Sequence, residues 1–301
     1  MHPELRQLRH FVAVAEELHF GRAARRLHMT QPPLSQSIAN LEELLGAPLF
    51  VRNRRMVGLS AAGAALLPEA RRILEEAGAL PELVRRAASG EAGRLALSFV
   101  STAGLGILPN VLRRYRAAFP GVRLVLQEAT SDLQFDELLS GRIDAGFVIP
   151  LQPGAPDIGA AGALDYLKLL DEPLVLCAPS GLPALRKQGP VRLADLPPLP
   201  LVIFPRAVAP SLHDAILAAF RAAGVRPTIG QEAIQMPTIV SLVSGGMGLA
   251  LVPQSVSNLM RPGVEYRALR DPAPLAETGL AWRRDNDSPV LKGFLDLLKK
   301  N

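Results

Sequence analysis

The chain has 301 residues, enough for two or three domains that each bury a core. Apolar residues make up 49% and charged residues 20%, an ordinary globular balance, and no apolar run is long enough to predict a membrane span. The net charge of +5 is thin, with 12 Arg against 9 Glu over residues 1–90, so bulk charge alone does not define a nucleic-acid binder.

Glu4, Arg6 and Arg9 interrupt the N-terminal stretch where a secretory signal would be apolar, which predicts a cytoplasmic protein. From there Leu5, Leu8, Val12 and Ala15 recur at helical spacing, with Phe11 and Val14 widening the apolar face. Gly21 opens a second, short helix in which Ala23 and Ala24 are small enough for another helix to cross closely, and Leu27 faces inward. Thr30 is placed to cap a third helix, and Pro32 and Pro33 suit its first turn, where N–H groups have no intrahelical partner. Leu34, Ile38, Leu41 and Leu45 form the buried stripe of that helix, opposite Ser35, Gln36, Ser37 and Asn40. Two short helices meeting at a tight turn, the second with a polar face, predict a helix-turn-helix that reads the major groove.

Residues 49–59 then predict a short hairpin, a wing tipped by Asn-Arg-Arg at 53–55. The candidate DNA-contacting set is Arg22, Gln31, Pro32, Ser35, Gln36, Ser37 and Asn40, with Arg52, Arg54 and Arg55 on the wing. Gln31 and Gln36 have the donor and acceptor needed for bidentate bonds to adenine, and Ser35 suits a base or a phosphate. The wing arginines suit phosphates or the minor groove, and Arg25 and Arg26 lie near the backbone.

A long helix is predicted from Ser60 to about Ala88. Leu66, Ala70, Ile73, Ala77, Leu80 and Val84 alternate by four and three, a heptad seam that needs a partner, most simply a second copy of the chain. Pro81 removes one hydrogen bond and crowds the preceding turn, which predicts a kink or break near residues 77–81.

After Gly90 the pattern changes to strands alternating with helices. Strands are predicted at 95–100, 122–127 and 143–149 with helices at 107–119 and 133–139; a second series has strands at 174–177, 201–204, 228–232 and 249–252. Helices fall at 211–223 and 237–244, and a tail of strand 279–282 and helix 289–298 returns to the first series. Two α/β subdomains with a cleft between them fit this layout. Cys177 lies alone in an apolar strand, so it reads as a buried small hydrophobe. The five histidines do not cluster with other ligand types, and neither a metal nor another cofactor is expected.

Ligands of α/β proteins bind at strand-to-helix junctions. The first junction offers Ser101 and Thr102 at a helix N-terminus, a natural carboxylate site; Thr130 ends the second strand, and Phe204, Pro205 and Arg206 end a strand of the second series. Arg206 is a candidate anion clamp. Two other classes were weighed. Gly104-Leu-Gly106 and Gly246-Met-Gly248 are incomplete dinucleotide fingerprints, and no nucleophile arrangement accompanies them, so a dinucleotide-dependent enzyme with an accessory helical domain is disfavoured. A small-molecule binding protein accounts for the C-terminal two-thirds but not for the N-terminal helices.

The sequence resembles the LysR-type transcriptional regulators along nearly its whole length. The resemblance is carried by Leu8 to Phe11, Phe20 with Ala23 and Ala24, Gln31 to Ser35, Leu41 to Glu43, and Leu49 with Phe50. Gly141 to Gly146 and Gly245 to Pro253 are similar to that family's effector-domain signatures. Within the family, Gln31 to Pro33 and Gly141 to Phe147 are most similar to regulators of aromatic catabolism that sense muconate or benzoate. One departure stands out: many members have Arg after the recognition-helix serine, where this chain has Gln36.

The resemblance implies an N-terminal all-α winged helix-turn-helix (residues 1–59), a linker and dimerisation helix (60–89) and a C-terminal α/β, periplasmic-binding-protein-like effector domain (90–301). The last is implied to consist of two Rossmann-like subdomains, about 90–165 with 270–301 and about 166–269. Thr102, Thr130 and Pro205 map onto effector-contacting positions. It also implies promoter DNA, a small effector such as an aromatic or dicarboxylic acid, RNA polymerase and further copies of the chain as partners. The resemblance further implies that the copies assemble as a dimer of dimers and that the protein activates transcription while repressing its own gene.

Overall fold

The computed structural model describes residues 2–52, 57–152 and 162–300; the expected wing tip, with Arg54 and Arg55, lies outside them. The chain divides into two compact units, Met1–Arg85 and Arg86–Asn301.

The first unit begins with helices α1 (Leu5–Glu17), α2 (Phe20–Arg26) and α3 (Gln31–Leu45). Their apolar faces meet in a core in which Phe11, Val14, Ala23, Leu34, Ile38 and Leu41 are fully buried. A fully buried Leu or Phe contributes about 1.5–3 kcal/mol, so this stripe holds α3 while leaving its other face in solvent. His19 caps α2, its Nδ1 accepting from the amides of Gly21 and Arg22 at 3.0 and 3.3 Å. Thr30 occupies the N-cap of α3 in extended backbone, as expected, but its hydroxyl makes no capping bond.

Strands β1 (Phe50–Arg52) and β2 (Val57–Leu59) pair antiparallel as the wing. Glu42 fixes its root: Oε1 accepts from the backbone N–H of Leu49 at 2.7 Å and of Phe50 at 3.1 Å. Phe50 then packs against Phe11 and Phe20, with ring centroids 5.5 and 5.9 Å away.

Helix α4 (Ala61–Ala88) runs unbroken through both Pro68 and Pro81, so no break occurs near residues 77–81. The carbonyl that Pro81 deprives of a donor belongs to Ala77, on a stretch that is only partly covered, where water can take the place of the missing N–H. The heptad seam is divided in its surroundings. Ala70 is buried and Leu66 and Ile73 pack on the core of their own unit, whereas Leu80 and Val84 are 55% and 66% exposed.

The second unit contains β3 (Ala92–Phe99), α5 (Ser101–Leu105), α6 (Leu108–Ala118), β4 (Gly121–Glu128), α7 (Ser131–Leu139), β5 (Ala145–Val148) and β6 (Leu164–Pro179). It continues with β7 (Leu201–Ile203), α8 (Pro210–Ala222), β8 (Ile229–Glu232), α9 (Met236–Ser244), β9 (Ala250–Pro253), β10 (Val264–Ala268), β11 (Leu275–Arg283) and α10 (Pro289–Lys299). A curled mixed sheet has the order β10-β6-β11-β5-β3-β4, with β9 also on β6, and β7 and β8 form a small parallel pair.

The 16-residue strand β6 joins the two halves. Residues 164–173 pair with β11 and residues 174–179 with β9 and β10. The tail strand β11 also pairs with β5, so it returns to the first half of the unit, as the alternation implied.

The glycine signatures are structural. Gly141 adopts φ +69°, and Asp144 ties β3 by accepting from the Ala96 amide at 2.7 Å. A Cβ at Gly248 would lie 2.1 Å from the Pro200 carbonyl oxygen, because β7 and β9 approach each other there.

Candidate functional site

Helix α3 presents Gln31, Pro32, Gln36 and Asn40 as exposed residues, with Ser35 half-buried beside them. Gln36 Nε2 donates to Asn40 Oδ1 at 2.8 Å, one helical turn on, so the two amides form one rigid edge. That edge carries both donors and acceptors, the requirement for reading a base pair in the major groove.

Ser37 is placed differently from its expected role. Its hydroxyl bonds His10 Nδ1 at 2.8 Å, on the side facing α1, and so fixes the seat of α3 rather than facing a base. Burial, and then the charge of Arg6, hold the His10 imidazole below its ordinary 6.5.

Arg22 pairs with Glu17 at 3.3 Å, Arg26 with Glu16 at 2.7 Å, and Arg71 of α4 with the same Glu16 at 2.8 Å. These exposed pairs are worth little individually and leave the guanidinium groups accessible to phosphates. Arg52 ends β1 opposite Val57.

In the second unit a cavity opens where strand ends meet helix starts. It is lined by Val100, Ser101, Thr102, Ala129, Thr130, Ser131 and Ile149 from one half, and by Phe204, Val208, Ala209, Ile234, Gln235 and Met236 from the other. The two walls come together at Ser101 Oγ and the Met236 amide, 3.5 Å apart, and the cavity volume is about 30 Å³.

Helices α7, α8 and α9 all begin at this cavity, and their N-cap residues Thr130, Ala209 and Gln235 make no side-chain capping bonds. The first-turn amides of α7 therefore add partial positive charge with no side-chain acceptor, whereas in α9 the Met236 amide faces Ser101 Oγ and Pro237 has no N–H. Thr102 is only 4% exposed, and its Oγ1 has no hydrogen-bond partner. A buried hydroxyl without a partner costs about 1–3 kcal/mol, a cost that a ligand acceptor would remove.

Of the residues expected at strand-to-helix junctions, Ser101, Thr102, Thr130 and Phe204 line this one cavity. Pro205 and Arg206 are not among its lining residues. Arg206 is not a free clamp: its Nε and Nη2 both donate to the Asp214 carboxylate, at 2.8 and 2.7 Å, and this pairing pulls Asp214 down to about 2. Gln235 and Met236 were missed, although they start a helix after a strand, the signal that revealed Ser101 and Thr102. Cys177 is buried, and burial pushes its thiol up to about 12, so it remains a neutral packing group.

A helix-turn-helix with a wing, followed by an α/β unit with a cavity between its two halves, defines a DNA-binding protein that senses a small molecule. Comparison with known proteins gives the family. Residues 5–64 match the model of the bacterial regulatory helix-turn-helix protein, lysR family, and residues 88–301 match the LysR substrate binding domain. The chain is 51% identical over 298 residues to the HTH-type transcriptional regulator IlvR of Caulobacter vibrioides, covering 99% of this chain and 98% of that one. It is 41% identical to AlsR of Bacillus subtilis over 98% of its own length and 95% of that protein. Among solved structures, full-length CbnR complexed with its target DNA superposes with a TM-score of 0.78 at 30% identity, covering 99% of each chain. The chain belongs to the LysR family: it is a ligand-responsive, DNA-binding transcriptional regulator and not an enzyme.

Proposed function

We propose that α3 enters the major groove with Gln31, Pro32, Ser35, Gln36 and Asn40 at the base edges, while Arg22 and the wing residues Arg52, Arg54 and Arg55 hold phosphates. The observation that carries this reading is the exposed, hydrogen-bonded Gln36–Asn40 edge, held outward by the buried stripe of the same helix. Glutamine in place of the arginine common in the family changes the base read at that position from guanine towards adenine. The division of labour follows the expected boundaries: 1–59 reads DNA, 60–89 links and dimerises, and 90–301 senses, through subdomains of about 90–165 with 270–301 and about 166–269.

The sensing residues are Ser101, Thr102, Thr130 and Phe204, and their ligand is a small anion. Such a ligand bridges the two halves of the unit around β6, and it shifts the balance between parted and closed cleft because it binds the closed form better. Leu80 and Val84, with Ala77 beside them, supply the self-association surface, since Leu66, Ala70 and Ile73 already pack within their own chain. Assembly as a dimer of dimers, contact with RNA polymerase, activation with autorepression and a cytoplasmic setting complete the proposal; none of the described helices is long and apolar enough to cross a membrane.

The test is competition between promoter DNA and non-specific duplex for wild type and the double variant Ser35→Ala/Gln36→Ala. Loss of one bidentate contact costs about 1–3 kcal/mol of discrimination, so sequence preference collapses while salt-dependent non-specific binding persists. Unchanged discrimination removes α3 from the reading role.

A further inference from the structure

We propose that the effector is a short-chain aliphatic monocarboxylate, seated with its carboxylate at the starts of α7 and α9 and its tail against the apolar wall. This rests on the cleft being the sensing site and narrows the class of molecule it takes. None of the described residues lining the cavity carries a charge.

The acceptor for which the site is built is small and single. Thr102 Oγ1 is buried without a partner, and the first turn of α7 and the single Met236 amide of α9 border the same cavity. A carboxylate taking two or three such donors is held ionised without a cationic side chain. Inserted between Ser101 Oγ and the Met236 amide, it would replace their long 3.5 Å contact with two shorter bonds and close the two halves on itself.

Three further features narrow the class. Ile149, Phe204, Val208 and Met236 give the wall an apolar side, which suits a branched or linear alkyl tail. A second carboxylate on that side would meet no cation among the described lining residues, because Arg206 is bound to Asp214 and does not line the cavity. An ammonium group would find no carboxylate among the described lining residues either. The cavity, about 30 Å³ as its walls stand, must widen for any ligand larger than water, and a small alkyl tail widens it less than an aromatic ring.

The experiment is thermal shift and calorimetric titration of the full-length protein with sodium isobutyrate at matched ionic strength. Isobutyramide removes the charge, valine adds an ammonium, cis,cis-muconate adds a carboxylate and benzoate adds a ring. Isobutyrate is expected to raise the melting temperature with dose, because it binds only the native state; the amide has no effect, and the other three bind more weakly. Thr102→Val weakens isobutyrate about tenfold or more, and Thr102→Ser restores it, which separates lost binding from lost folding.

If valine, muconate or benzoate binds more tightly than isobutyrate and Thr102→Val weakens that binding, the class is wrong while the cleft remains the sensing site. If isobutyrate binds equally well to wild type, Thr102→Val and the cavity-filling Ile149→Trp, both the class and the cleft reading fall. If isobutyrate does not bind the wild type, the proposal is overturned.

Discussion

Glu42 gives the sharpest quantitative prediction, because one side-chain oxygen holds the entry to the wing. Its Oε1 accepts from the Leu49 and Phe50 amides at 2.7 and 3.1 Å, and both residues are at most 5% exposed. Hydrogen bonds to a charged acceptor contribute about 1.5–3 kcal/mol each, and a buried amide left without a partner adds its own desolvation cost. Partial rehydration offsets some of this, so Glu42→Ala is expected to destabilise the first unit by about 2–4 kcal/mol, a large share of a typical domain stability of 5–15 kcal/mol. Glu42→Gln retains a neutral carbonyl acceptor and should lose about half as much. Hydrogen exchange of the α1–α3 amides in the full chain reads the opening free energy directly, and promoter affinity should fall in the same order. A change below about 0.5 kcal/mol, the range of an ordinary surface substitution, would refute the claim that Glu42 secures the wing.

Other substitutions and conditions test separate parts of the account. The folded-state value of His10 lies below 6.5, so the unfolded chain binds more protons; stability of the first unit should fall as pH drops below about 6.5 and level off beneath the folded value. His10→Gln should flatten that slope in urea titrations at stepped pH. Gly248→Ala places a Cβ 2.1 Å from the Pro200 oxygen at φ +145° and should cost more than about 3 kcal/mol in thermal unfolding. Gly246→Ala, at φ +78° in open space, should cost only about 1–2 kcal/mol, so equal losses would contradict the steric explanation. Leu80→Glu with Val84→Glu should reduce the mass found by light scattering while leaving the melting of the second unit unchanged.

The helix-turn-helix was legible because everything that specifies it is local: the apolar stripe of α3, its first-turn prolines and the small residues of α2. The first ten residues of β6 were not, since Asp165, Lys168, Asp171 and Glu172 mask the alternation and Pro173 suggests an end. Strand β10 was missed although Val264, Tyr266 and Ala268 alternate with Glu265 and Arg267, the pattern of a half-buried strand, because the run is only five residues long. The break expected at Pro81 does not occur, since an internal proline removes one hydrogen bond and leaves the rest of the helical ladder to hold α4 together. In the cleft, position relative to strand ends was legible for Ser101, Thr102, Thr130 and Phe204. What each side chain touches was not: Arg206 meets Asp214, eight residues on, and Ser37 meets His10 across the core.

The central claim is that this chain reads a particular DNA sequence through α3 and its wing. Fluorescence anisotropy of the full-length protein, on the duplex upstream of its own gene and on a scrambled duplex of equal length, tests it across a salt series. The account predicts tighter binding to the natural duplex by about 10³-fold or more, with log affinity falling linearly in log salt on both duplexes. Folded protein that binds neither duplex at low salt, or both equally at every salt concentration, would contradict it.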